Sequence, residues 1–363
     1  MLKAKLIKTI LPCLFLFSTC QQKVNKKQEY TLSNEDCLAC ERISLFYKAK
    51  DLVHATVWHG LNNNSLDAPI LYFTDSTTYM TTSNNHYFSA PDYTSINCKN
   101  EITLYKLNLR LDSIPFHMEN KMSFKDSSSL FYYRPMMLCS DVETMHQFVP
   151  DFETTEEWLQ LVMHEYFHSF QFSHKNSINY LADSIQIAAD TLDRIYLQNK
   201  WFQQYIQREN EMLLNAIESE NQDSTIFFIS RLQEHRNSRR LKFQTTSEFN
   251  LSKAENFWET IEGSARYTEY YMALYFTNIS AGRLESCDTL FHGFENYSDT
   301  ESVERGKEFK IRTEIMPAYY YVTGFNMCRL MDKMVIEYKA GLFDKPEQGL
   351  YDILVENFDK YHH

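Results

Sequence analysis

From residue 155 to about 280, apolar residues recur every three or four positions, the spacing of one buried helix face. Ahead of that block the pattern is mixed. Arg42 to His59 has helical spacing, whereas Pro69–Thr74 and Ile102–Leu111 alternate apolar and polar in the manner of half-buried strands. Leu130–Leu138 predicts a further strand, and Pro135 within it, lacking a backbone N–H, favours a sheet edge. Met316 to Tyr361 predicts two more helices, separated near Gly341 to Pro346. No internal repeat is visible. A small mixed sheet followed by a predominantly helical region predicts an α+β fold.

Composition narrows the choice. The 363 residues include only 8 glycines and 8 prolines, and no two glycines stand as close as G-x-G, which excludes nucleotide loops that need clustered glycine. With 24 Tyr, 26 Phe and 44% apolar residues, the chain can build a sizeable core. A net charge of -12 argues against nucleic acid as a partner, because counterion release needs a basic face.

The first residues read as an address. Lys3, Lys5 and Lys8 precede an apolar run from Thr9 to Phe17 that is too short to span a bilayer. The run ends Phe17-Ser18-Thr19-Cys20, which resembles a bacterial lipoprotein signal of the looser kind used by the Bacteroidota. The resemblance implies cleavage after residue 19 and lipidation of Cys20, hence a membrane-anchored protein of the cell envelope facing the periplasm or the cell surface. Removing residues 1–19 takes away three lysines and no acid, moving the net charge from -12 to -15. Residues 20–40 then form a tether with a Cys37-Leu38-Ala39-Cys40 pair. No second C-x-x-C completes a four-ligand zinc site, so a local or long-range disulfide is expected there.

The chemistry is concentrated in one predicted helix. Thr154 and Glu157 form a capping box, and Trp158, Leu161, Val162 and Phe172 mark a buried face. His164 and His168 are four residues apart, so both imidazoles leave the same face, one turn apart, and can share one metal ion. Glu165 sits about 100° around the axis, where a carboxylate can serve as a general base. This H-E-x-x-H segment resembles the zincin metallopeptidases.

Two residues compete as third ligand. Downstream, Glu262-Gly263-Ser264-Ala265-Arg266-Tyr267-Thr268-Glu269 resembles the ligand helix of the gluzincins, in which a glutamate on a later helix completes the site. That resemblance implies Glu262 as ligand and Glu269 or Glu259 as the acid that orients a histidine, with Arg266 where the family often carries that acid. Alternatively, His164, His168 and His174 reproduce the metzincin spacing, but with Gln171 in place of its turn glycine, and continued helix would carry His174 off the ligand face. Glu262 is the preferred ligand.

The zincin resemblance implies one zinc ion, a catalytic domain split into an α/β part (41–150) and a helical zinc-binding part (151–363), and hydrolysis of peptide or protein substrates. Glu165 would be the base, and the oxyanion would be met by Tyr320 or Tyr321 from the run Tyr319-Tyr320-Tyr321, or by Arg266. Pro69–Thr74 or Leu130–Met137 would supply an edge for an extended peptide. The other functional class is a non-catalytic zincin-like lipoprotein that binds peptide or glycan; an intact Glu165 speaks for the enzyme. Gly263 and Gly324 stand out as places where the backbone approaches another element closely.

Overall fold

The computed structural model describes residues 32–63, 66–83, 93–99, 102–111, 113–122, 135–277, 287–296, 307–315 and 317–361. The leader with Cys20, the segment carrying Leu130 to Arg134, and Met316 lie outside the described residues.

Helix α1 (Asn34–Thr56) begins well before Arg42 because Ser33 and Asp36 close a capping box over its first turn. Cys37 and Cys40 therefore ride on a helix instead of a tether. They do not bond to each other: Cys37 pairs with Cys287 and Cys40 with Cys98, while Cys139 and Cys328 stay as buried thiols.

Six strands follow: β1 (Ile70–Phe73), β2 (Thr78–Met80), β3 (Thr94–Asn97), β4 (Thr103–Leu107), β5 (Met118–Lys121) and β6 (Met136–Ser140). They form one mixed sheet in the order β3-β4-β2-β1-β6-β5, with β1 and β6 parallel and the other pairs antiparallel. β1 is apolar throughout because both its faces are covered. Ile70 and Tyr72 enter the main core, and Leu71 and Phe73 enter a second cluster with Met80, Leu107, Met136 and Leu138.

This order corrects the expected edges. β1 is hydrogen-bonded on both sides, and so is β6, since Pro135 precedes its first paired residue and costs the ladder no donor. The edges among the described strands are β3 and β5, both rich in polar residues and both without an apolar signal in the sequence.

The helices are α2 (Val142–Phe148), α3 (Thr155–Ser173), α4 (Lys175–Ser184), α5 (Ala189–Gln198), α6 (Lys200–Glu218), α7 (Gln222–Gln244), α8 (Leu251–Phe276), α9 (Lys307–Ile315), α10 (Tyr319–Lys333) and α11 (Leu350–Tyr361). Among the described residues no helix is long and apolar enough to cross a membrane. The Thr154/Glu157 capping box forms as expected, and Trp158 Nε1 donates to the Ser140 carbonyl at 2.9 Å, seating α3 on the end of β6. Buried Arg42 bonds Glu143 and Asp288, and Asp288 also accepts from Thr155 at the start of α3.

The charged middle of the chain turns inward. Arg236 and Arg239 on α7 are fully buried, bonded to Glu209 on α6 and to Glu259 and Glu255 on α8. Three arginines (Arg240 is the third) meet three glutamates there, so charge is balanced and every guanidinium finds carboxylate oxygens. Beside this network α8 crosses α10 at Gly263 and Gly324, and Tyr319 and Thr323 of α10 donate to Glu255 and Glu259. A methyl group on Gly263 would overlap the backbone of Gly324, and one on Gly324 would overlap the carbonyl oxygen of Glu259.

Replacing Gly324 with alanine should therefore destabilise the protein by about 1–3 kcal/mol or more through overpacking, despite alanine's better helix propensity. Urea unfolding of the variant checks this; unchanged or raised stability would contradict the close crossing.

Candidate metal centre

α3 presents His164 and His168, and α8 presents Glu262, all buried at the place where the two helices pack. His164 Nε2 lies 3.1 Å from His168 Nε2, and Glu262 Oε2 lies 3.4 and 3.2 Å from the two nitrogens. Glu262 Oε2 is buried and receives no well-formed hydrogen bond. Four zinc ligands at about 2.0–2.1 Å in a tetrahedron sit about 3.3 Å from one another. The three atoms thus have the mutual spacing of three corners of such a site, and together they could hold a metal ion.

The outer nitrogens fix which lone pairs face inward. His164 Nδ1 is 2.8 Å from Glu269 Oε2, an acceptor, so it carries the proton. His168 Nδ1 is 2.8 Å from Gln171 Oε1. The amide is oriented because Gln171 Nε2 donates to the Ile261 carbonyl at 2.8 Å and to Ser264 Oγ at 2.9 Å. Both Nε2 lone pairs and a carboxylate oxygen then converge on one point, an arrangement that repels itself unless a proton or a cation sits there.

Charge follows from the same geometry. Burial would push His164 down, but the charge of Glu269 and the bonds to Glu262 and Glu269 hold it up at about 10. His168 is also raised, against burial, by Glu262. Burial opposes ionisation of Glu262 and Glu269, yet neighbouring cations prevail: Glu262 falls well below the usual carboxylate range through the imidazoles, and Glu269 falls to about 2 through Arg266 and His164. Arg266 reaches Glu269 at 2.6 Å and Arg312, from α9, at 3.6 Å.

Glu165 is half-buried and joins none of these pairs. Burial raises its pKa, partly offset by the two imidazoles and by the nearby backbone N–H of Asn120 on β5. Ser169 Oγ donates to Asn120 Oδ1 at 2.9 Å, fixing that edge strand beside α3.

The remaining sequence-predicted residues divide. Tyr321 joins the centre: its ring stacks on His164 with centroids 5.6 Å apart, and the charge of Glu262 adds to burial in raising its pKa. Tyr320 instead packs into a separate apolar cluster against Tyr319. Glu269 orients His164, but Glu259 does not; Arg236 of α7 and Thr323 of α10 take its oxygens. His174 is not brought to the pair either. α3 ends at Ser173, and His174 bonds Asp344 at 2.8 Å among Phe170 and Phe343. Arg266 braces Glu269 instead of facing the centre alone. Gln171, Asn120 and Arg312 were missed; only Gln171, three residues from His168, carried a local signal. Comparison with family models, with curated proteins and with solved structures finds no match for this chain.

Two measurements test the ligand set with zinc as probe ion. Glu262→Gln should abolish zinc retention after dialysis, whereas His174→Gln should keep one ion per chain; loss of zinc in the His174 variant alone would reassign the ligand. Because protons compete for His164 up to about 10, apparent zinc affinity should rise with pH from 6 towards 10, with proton release seen as a buffer-dependent binding heat. A pH-independent affinity would contradict this electrostatic account.

Proposed function

We propose that this chain is a zinc-dependent peptidase, tethered to the bacterial envelope by a lipid on Cys20. His164, His168 and Glu262 hold one zinc ion, and Glu165 is the general base. The observation that carries the reading is the buried convergence of His164 Nε2, His168 Nε2 and Glu262 Oε2 beside a carboxylate that serves none of them as partner. When bound, zinc supplies Lewis acidity, lowering the pKa of a water molecule and polarising the carbonyl of the bond to be cut.

Glu165 accepts a proton from the attacking water and returns it to the leaving amine. Burial raises its pKa, the direction that suits a group which must give the proton back as well as take it. Tyr321, kept as a neutral phenol by burial and by Glu262, supplies an O–H donor for the oxyanion. β5, an edge strand that runs beside α3, offers backbone groups to an extended peptide. This role passes to β5 from the two strands expected to fill it, which are interior.

Glu165→Gln should keep stoichiometric zinc and lose about 10²–10⁴-fold in cleavage of casein or a peptide library. Wild-type protein that holds zinc and cleaves nothing in a diverse library would point instead to a non-catalytic binder of peptide or glycan.

A further inference from the structure

The chain enters the fold at one end of the sheet, and the first turn of α1 is bonded there. Thr74 Oγ1, just past β1, donates to Glu35 at 2.6 Å, and Asp36 accepts from Lys106 of β4 at 2.7 Å and from Tyr79 of β2 at 2.8 Å. Large apolar side chains stand exposed at this same end: Leu109 (44%) and Ile114 (45%) between β4 and β5, and Phe148 (49%) at the end of α2. A chain of contacts joins them. The Leu109 carbonyl accepts Thr78 Oγ1 at 3.0 Å, and Arg110 donates to the Thr74 carbonyl at 3.1 Å. Arg110 also lies over the ring of Phe73, on which His117 stacks, and Phe116 stacks on Phe148 with centroids 5.3 Å apart. Tyr93, exposed as well, precedes Thr94, which pairs with Lys106. Single exposed apolar residues are ordinary, but several at one end of a fold mark a surface that something covers.

We propose that this end of the sheet rests on the lipid surface, with Leu109, Ile114 and Phe148 entering the boundary between headgroups and acyl chains. The occupant follows from where the chain comes in. Ser33, the cap of α1, follows Cys20 by 13 residues, so a lipid on Cys20 is held within about 45 Å of this end at full extension and closer on average. One acyl chain binds a bilayer only marginally and reversibly, so a second contact decides how firmly and in which orientation a protein sits. Net negative charge gives no attraction to acidic headgroups, which leaves apolar insertion as that contact. α3 starts from the same end, seated by Trp158 on Ser140, and the two histidines lie about 9–15 Å further along it. Peptide segments close to the bilayer are then the ones the metal centre meets.

The proposal rests on the lipid anchor of the reading above and not on catalysis. The mature protein is reconstituted into phosphatidylethanolamine–phosphatidylglycerol vesicles with spin-labelled acyl chains. A fluorophore is placed at Leu109→Cys, Ile114→Cys or Phe148→Cys, or at the still more exposed Leu241→Cys of α7 and Val335→Cys as controls. Labels at the first three positions should lose most of their emission to the quencher, and the controls little. A second readout needs no label: hydrogen exchange of the backbone from 109 to 117 should slow on vesicles relative to Cys20→Ser protein in the same buffer. Mass spectrometry of the mature chain separates the two ways to fail. Acylated Cys20 with quenching no greater at the three sites than at the controls overturns this surface and leaves the anchor standing. Cys20 without acyl groups sinks the anchor, and this orientation with it. Emission that shifts with protein concentration and is not quenched by lipid puts a second copy on the face and overturns the proposal.

Discussion

Helix α8 takes four carboxylates out of water, and the way each is matched organises the molecule. Glu255 meets Arg239 and Arg240, Glu259 meets Arg236, and Glu269 meets Arg266. Glu262 alone has no guanidinium; its neighbours are two imidazole nitrogens and a phenol. Removing one partner of a buried pair costs about 3–5 kcal/mol, so such pairs are strong constraints on geometry even where they add little net stability. The three paired glutamates pin the helix, and the fourth is left with its charge directed at α3. The site is the one place where this helix is short of positive charge.

That shortage would be useless without precise placement, and both helices are held from several sides. α3 is fixed at its start by Thr155 on Asp288 and by Trp158 on Ser140, so His164 and His168 leave a rod with little freedom to rotate. α8 is clamped on one side by the arginines of α7 and pressed on another by α10, where two glycines let the backbones touch. The same crossing brings Tyr321, just ahead of Gly324, to Glu262, just ahead of Gly263. Glu269 and Gln171 then set the two imidazole tautomers from outside. The folded frame thus carries the cost of holding three repelling lone pairs together.

Much of this was legible from local spacing. The i, i+4 histidines, the Thr154/Glu157 box and the glycine after Glu262 are short-range patterns, and helix geometry turns each directly into a statement about faces. The α+β division followed from the change of period along the chain. What could not be read depends on partners far apart in sequence. Nothing near Glu259 announces Arg236, and the family resemblance gave it an orienting role that this pairing removes. Arg312 approaches Glu269 from a separate helix. β5, Met-Glu-Asn-Lys, has no apolar alternation because none of its residues is fully buried on either face, so the strand that borders the site was invisible while the fully apolar interior strands were conspicuous. The partners of Cys37 and Cys40 were likewise a matter of tertiary fold.

The central claim, that His164, His168 and Glu262 gather around one zinc ion, is tested most directly by zinc-edge X-ray absorption on the metal-loaded protein. The account predicts one ion per chain with only nitrogen and oxygen neighbours at about 2.0–2.1 Å and an imidazole signature, perturbed in Glu262→Gln. A sulfur shell at about 2.3 Å, or no stoichiometric zinc at all, would contradict it.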